Sequence, residues 1–106
     1  AIISIVVAGY ISIENIKFLE NLNIYPNPTS GKFHLNFYSL KNDELSFSIY
    51  SASGKLIHTF NKKEVKIGDN NMPFDLNLIN VATGYYFLKI EGQNNNTTLP
   101  LIYHKH

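Results

Sequence analysis

Apolar and polar residues alternate in short segments along most of the chain, from residue 33 to the C-terminal end. In the clearest case, residues 33–38, every second side chain is Phe or Leu. A period of two is typical of β-strands that bury one face. The same pattern recurs at residues 45–50, 74–78, 85–90 and 99–103, with weaker examples at 56–60 and 65–67. We therefore predict about seven strands.

The segments between these predicted strands are rich in residues that favour turns. They are residues 26–31, 42–43, 51–54, 68–71, 83–84 and 92–96. Strands separated by turns about every 8–12 residues are typical of a sandwich or barrel. No segment shows sustained helical periodicity bounded by capping residues. The predicted fold is all-β, an antiparallel immunoglobulin-like β-sandwich over residues 22–106.

Residues 1–21 have a different character, and we interpret them as the tail of an upstream region followed by a linker. Residues 1–8 form an apolar run rich in β-branched side chains. The run is shorter than the roughly 20 residues that span a bilayer, and no positive charge precedes it as in a signal peptide. We expect the last strand of an upstream domain, with a truncated leader or hydrophobic anchor as the alternative. Residues 13–22 are predicted to be a linker with weak helical tendency.

Composition excludes several functional classes. Nine basic residues, all of them lysine, and eight acidic residues give the 106-residue chain a formal net charge of +1. A basic stripe for binding nucleic acid is therefore absent from the sequence. The chain has no cysteine, which excludes disulfides, thiolate zinc sites and a cysteine nucleophile.

No pattern of residues indicates catalysis, so we predict that the protein is not an enzyme and uses no cofactor. His34 and His58 lie inside predicted strands, and His104 and His106 lack a third metal ligand at a suitable spacing. The sequence contains neither a Gly-x-Ser-x-Gly nucleophile elbow nor a glycine-rich phosphate loop. A loose calcium site in the predicted turn at Asp69 remains open.

Three short motifs combine turn residues with strands. Residues 22–33 hold the first, 47–57 the second, and 75–78 with 82–90 the third, and the residues we single out are Tyr25, Pro26, Asn27, Pro28, Gly31, Gly54, Gly84, Tyr86 and Lys105. The prolines restrict their own φ angles and favour extended geometry in the residue before each. We expect the Asn27 side chain to bridge the turn, Gly31 and Gly54 to adopt positive φ, and Gly84 to lead into a central strand.

These motifs, in this order and at this spacing, resemble the type A C-terminal sorting domain of the type IX secretion system. The resemblance covers residues 22–106. Its first motif is similar to the family's Tyr-Pro-Asn-Pro turn, and its third to the family's Gly-x-Tyr step. Family members usually end in a basic-flanked apolar strand that closes with Lys or Arg. Lys105 fits this ending, and Pro100 departs from it. Proline lacks a backbone donor, so we expect the last strand to lie at a sheet edge or to carry a bulge.

The resemblance implies a secretion signal attached to a cargo protein upstream in the same chain. The implied partners are the type IX outer-membrane translocon and a sortase-like surface peptidase, and the implied location is the cell surface or the medium, reached through the periplasm and outer membrane. Cleavage is expected within residues 9–22. We also expect the last strand, residues 98–105, to present an exposed edge to the translocon.

Two other functions remain open. Tyrosine rings could form one aromatic face for sugars, which would make the domain an accessory carbohydrate-binding module; the candidates are Tyr25, Tyr38, Tyr50, Tyr85 and Tyr86. Such rings more often pack on the core with the hydroxyl at the rim. The third hypothesis is an inert spacer or adhesin repeat.

Overall fold

Two antiparallel β-sheets make up the part of the protein that the computed structural model describes, residues 18–105. The strands are β1 (Leu19–Tyr25), β2 (Lys32–Ser39), β3 (Asp43–Ser51), β4 (Leu56–Thr59), β5 (Lys63–Val65), β6 (Gly68–Asp75), β7 (Gly84–Glu91) and β8 (Asn96–Tyr103), and a 3-10 helix covers Leu76–Leu78. The smaller sheet has the order β1-β2-β6. The larger has the order β4-β3-β7-β8, and β5 also pairs with β3. The predicted all-β antiparallel sandwich is confirmed.

The inward faces of both sheets form one hydrophobic core. Phe74 connects the sheets, because its ring is stacked on Phe33 of the smaller sheet at 5.2 Å and lies edge-on to Phe47 of the larger sheet at 5.4 Å. Aliphatic and aromatic side chains with no more than 1% exposure come from both sheets and from the 3-10 helix: Phe33, Leu35, Leu45, Phe47, Ile49, Leu76, Leu88, Ile90, Leu101 and Tyr103. The alternation in the sequence therefore marks the core-facing positions correctly in β2, β3, β7 and β8.

The strand predicted at residues 74–78 is wrong in its position. The strand here is β6, which ends at Asp75, and the chain then turns into the 3-10 helix, where Leu76 is buried and Leu78 is 83% exposed. The Asp75 side chain caps this helix by accepting a hydrogen bond from the backbone of Asn77. Residues 68–71, predicted to be a turn, belong to β6. Their polar side chains hid the strand because β6 lies at a sheet edge and buries few of them.

The linker predicted over residues 13–22 is a strand from Leu19 onward. Residues 13–17 of that prediction lie outside the described residues, as does the apolar run at residues 1–8. Leu19 and Ile24 are buried on β1, but a bulge between Glu20 and Asn23 breaks their alternation. Asn21 in the bulge has a φ of +54°, a conformation that Asn tolerates better than most residues. Because of this bulge, the apolar residues of β1 do not alternate with a period of two, and the sequence pattern did not predict the strand. Phe18 and Leu19 are part of the core, so the fold extends N-terminal to residue 22.

Candidate functional site

The turn between β1 and β2, residues 26–31, lies against the outer edge of β8. The Thr29 amide donates to the Ile102 carbonyl at 2.8 Å, and the His104 amide donates to the Thr29 carbonyl at 2.8 Å. Thr29 and Tyr103 thereby form an isolated parallel bridge. We call residues 26–31 together with residues 100–104 the turn site. It joins two segments that lie about seventy residues apart in the chain.

The side chain of Asn27 extends this contact along β8. Its Nδ2 donates to the Pro100 carbonyl at 3.1 Å, and its Oδ1 accepts from the Ile102 amide at 2.9 Å. A carboxamide offers one acceptor and two donors, so it pairs with a strand edge as a peptide group does. The predicted bridging by Asn27 within its own turn is therefore wrong, because the side chain bridges to β8 instead.

Proline lacks a backbone N–H, but Pro100 occupies a position in β8 whose backbone groups point away from β7, so no hydrogen bond to β7 is lost. It is paired with Phe87 of β7, and its carbonyl points to the outer edge, where Asn27 binds it. The expectation that β8 is an edge strand is confirmed. The expectation that residues 98–105 present an exposed edge is wrong for Pro100 to His104, because the turn covers them. The edge at Asn96 and Thr98 has no neighbouring strand among residues 18–105.

Gly31 is held where no other residue fits. Its φ is +143°, as predicted to be positive, and a Cβ there would lie 2.0 Å from Nδ2 of Asn77. Its carbonyl accepts from the Leu76 amide at 3.0 Å, and its amide donates to Oγ1 of the buried Thr29 at 3.0 Å. The Tyr103 hydroxyl donates to Oδ1 of Asn77 at 2.9 Å. The 3-10 helix thus supports both halves of the turn site.

Thr29, Asn77 and Tyr103 were missed by the sequence analysis as members of this site. Thr29 carried one local signal, because a hydroxyl two residues before a glycine commonly closes a small side-chain turn. Asn77 and Tyr103 carried none, since their hydrogen bond joins residues that lie far apart in the sequence.

Three more of the residues singled out in the sequence lie at the same end of the sandwich as the turn site: Gly84, Tyr86 and Lys105. Gly84 begins β7 opposite Tyr103, and β7 is central, as predicted. Tyr86 is buried and its hydroxyl donates to the Ala82 carbonyl. The Lys105 amide donates to Oγ1 of Thr83 at 2.8 Å. The third motif and the chain end therefore meet beside the turn site.

Gly54 and Tyr25 lie at this end of the molecule without joining the hydrogen-bonded turn site. Gly54 has the predicted positive φ, +91°, in the β3–β4 turn, with nothing within 4 Å of the position of a Cβ. Tyr25 is 53% exposed on the outer face of the smaller sheet, with its ring centroid 6.1 Å from that of His34.

The five tyrosines considered for sugar binding do not share a face. Tyr25 and Tyr38 lie on the smaller sheet, paired with His34 and Glu20, and Tyr50 and Tyr85 are on the outer face of the larger sheet. Tyr86 belongs to the core. The single aromatic face required by the carbohydrate-binding alternative is therefore not formed by this set.

The histidines and acidic residues are likewise dispersed. Among residues 18–105, no group of three or more His, Asp and Glu side chains could hold a metal ion. The loop predicted around Asp69 as a loose calcium site lies within β6, where Asp69 pairs with Tyr38. His34 shares a hydrogen bond with Asn71, and His58 packs edge-on against Phe60. No helix in the same range is long and apolar enough to cross a membrane.

Comparison with known proteins identifies the family. No curated protein matches the chain. The family model described as "Secretion system C-terminal sorting domain" matches residues 23–104, which include the turn site and all but the ends of the described fold. The chain therefore belongs to the family of secretion system C-terminal sorting domains, the type IX sorting signals that its three motifs resemble.

Proposed function

We propose that this domain directs an attached cargo protein across the outer membrane by presenting its folded turn site to the type IX translocon. The observation that carries the proposal is the pairing of Asn27 and Thr29 with β8. This pairing joins residues 26–31 and residues 100–104, which are remote in the sequence, into one continuous surface. The family's function as a sorting signal supports a role in recognition, and we assign no catalytic role to any residue.

The residues singled out in the sequence divide into two groups under this proposal. Pro26, Asn27 and Pro28 are exposed on the turn and would contact the translocon, together with Tyr25 beside them. Gly31, Gly84 and Tyr86 would hold the turn and β8 in place from within the fold. Lys105 would add a positive charge at the same end. Gly54 belongs to a different turn, the one between β3 and β4.

Removal of the domain by a sortase-like surface peptidase is a further part of the proposal. Phe18 and Leu19 are buried in the core, so a peptidase would reach the chain only on the N-terminal side of Phe18. This narrows the cleavage segment expected at residues 9–22 to residues 9–17. The cargo would lie upstream of the bond and reach the cell surface or the medium.

The proposal is tested with the 106-residue chain fused behind a periplasmic fluorescent protein in a bacterium that has the type IX system. Asn27→Ala removes both side-chain bonds to β8, and we expect surface and medium fluorescence to fall about tenfold, the equivalent of about 1.4 kcal/mol in recognition. Asn94→Ala, in the exposed β7–β8 turn, is the matched control and should be exported normally.

Thermal unfolding of the purified variants separates recognition from folding. The two bonds of Asn27 are exposed to solvent, so we expect Asn27→Ala to remain folded at growth temperature. Undiminished export of the folded Asn27→Ala variant would refute recognition of the turn site. Failure of the unsubstituted fusion to leave the periplasm, in cells that export their own cargo, would refute the sorting role.

A further inference from the structure

The outer face of the larger sheet carries an apolar cluster that shares only Pro100 and Ile102 with the turn site. The register aligns Tyr50 with Phe87 and Phe87 with Pro100, and the next pair on the same face is Tyr85 with Ile102. We call these five residues the aromatic face. Tyr85 is 69% exposed and Phe87 is 40% exposed. Apolar side chains clustered on an exposed surface are characteristic of interaction sites.

The aromatic face has a shape that can receive side chains from a partner. A shallow depression of about 360 Å³ lies between Tyr50 and Phe87 and continues to Thr98. The β3–β4 turn at Gly54 borders it. The register also places this face beside the turn site, because Pro100 and Ile102 are the residues whose backbone Asn27 binds. A partner could therefore contact both at once.

One lysine lies on the aromatic face, and two more follow, in the chain, segments that adjoin it. Lys89 lies on the face itself, with its Nζ 5.9 Å from the ring centroid of Tyr50 and 3.9 Å from a carboxylate oxygen of Glu91. Lys55 follows the Gly54 turn and Lys105 follows β8, and neither forms an ion pair within residues 18–105. An apolar centre with a positive border complements a protein surface that is apolar and bordered by carboxylates.

The same charges disfavour a second copy of the chain as the occupant. A two-fold interface brings the same patch of each subunit together, so the lysines of both copies would face one another and repel. A sugar would need polar side chains that converge on its hydroxyl groups in addition to the rings. The amide of Asn96 lines the depression, but Tyr85, the most exposed ring of the face, does not, so rings and polar groups do not converge on one site.

We propose that the aromatic face is the docking surface for a protein of the export machinery whose own surface is apolar and bordered by acidic side chains. This inference rests on the proposed sorting function and gives it a second contact surface. It also gives Gly54 a role, because a glycine keeps the border of the depression free of a side chain.

The test uses the same fluorescent fusion of the 106-residue chain. Tyr85→Ser and the double variant Tyr85→Ser/Phe87→Ser should lower export about tenfold or more, as expected for aromatic residues at the centre of an interface. Leu78→Ser and Ile67→Ser are matched controls, since both are exposed apolar side chains away from the face, at 83% and 59%; both should be exported normally. Lys55→Glu/Lys105→Glu should lower export, whereas Lys55→Gln/Lys105→Gln should lower it less.

Each outcome decides between occupants. Normal export of folded Tyr85→Ser and of the double variant would overturn this inference, while export of the unsubstituted fusion would leave the sorting role intact. If the double variant shows no cooperative unfolding, it is not folded, and the export of Tyr85→Ser alone then tests the inference. The single variant should stay folded because the Tyr85 side chain is largely exposed. Sedimentation showing a dimer that Tyr85→Ser dissociates without loss of export would assign the face to a second copy. Binding to an insoluble polysaccharide that Tyr85→Ser abolishes, again without loss of export, would assign it to a sugar.

Discussion

Asn27 acts as an additional peptide group at the edge of β8. Its carboxamide donates to the Pro100 carbonyl and accepts from the Ile102 amide. Both backbone groups point away from β7, and Asn27 supplies the hydrogen-bond partners that a neighbouring strand would otherwise provide. Thr29 continues the pairing through its own backbone. Neither interaction needs a charged residue, which explains how a chain with little net charge and no arginine can hold its two distant motifs together.

Gly31 is the residue at which this arrangement is least tolerant of substitution. Gly31→Ala would combine an unfavourable φ with a clash against Asn77, and we expect it to lower the free energy of unfolding by about 2–4 kcal/mol. Gly54→Ala is the matched control: its φ is also positive, but its surroundings are open, so a loss of about 1 kcal/mol is expected. Urea denaturation of both variants measures the difference. Equal losses would show that Asn77 moves aside without cost.

At the scale of elements, each edge strand of the sandwich is modified in a way that limits pairing with other chains. β8 has Pro100 and the docked turn, β6 has Pro73, β1 has the bulge around Asn21, and β4 and β5 are only four and three residues long. The edge of β8 at Asn96 and Thr98 is the part that stays without a neighbouring strand in residues 18–105. Strand addition to β8 would therefore be restricted to this short segment.

Removal of β8 tests folding as much as recognition. Deleting Leu99–His106 takes away Leu101 and Tyr103, which are 0% and 1% exposed in the core. Each is worth about 2–3 kcal/mol of burial, a large fraction of the 5–15 kcal/mol or so that stabilises a domain. We expect the truncated domain to be unfolded by circular dichroism and rapidly cleaved by protease.

A shorter deletion provides the control for that experiment. Removing only residues 105–106 leaves β8 and every backbone bond of the turn site in place, and we expect cooperative unfolding close to that of the intact chain. A folded protein lacking Leu99–His106 would show that β8 is dispensable for the sandwich. Loss of export by that deletion could then be attributed to recognition.

At the scale of the whole molecule, the two sheets are held together by one core, with the aromatic rings around Phe74 at one side of it. Phe74 contacts Phe33, Phe47 and Phe60 at centroid distances of 5.2, 5.4 and 5.0 Å. The three motifs are brought to one end of this sandwich because Ser51 of β3 pairs with Tyr86 of β7, and Tyr86 pairs with Leu101 of β8. The core thus determines the surface that a partner meets.

Phe74→Ala tests the connection between the sheets. We expect it to lower the free energy of unfolding by about 3–5 kcal/mol, through lost burial and a remaining cavity. Tyr25→Ala, which removes a ring of similar size that is 53% exposed, should cost less than about 1 kcal/mol. Guanidinium denaturation monitored by circular dichroism compares the two. A small loss for Phe74→Ala would mean that the sheets repack readily around the gap.

The sequence by itself determined the features that depend on a residue and its near neighbours. Alternation assigned β2, β3, β7 and β8 to a sandwich, and turn chemistry located Gly31 and Gly54 at positive φ, because side-chain direction and backbone strain are local properties. It failed at β1 and β6, where a bulge and an edge position remove the apolar alternation.

Only the tertiary structure decided what the motifs touch. The bonds of Asn27 to β8, the support of Gly31 by Asn77, and the alignment of Tyr50, Phe87 and Pro100 join residues from separate parts of the chain. Such contacts depend on how two sheets stack and on the register of each strand pair, and a single sequence read along its length contains neither.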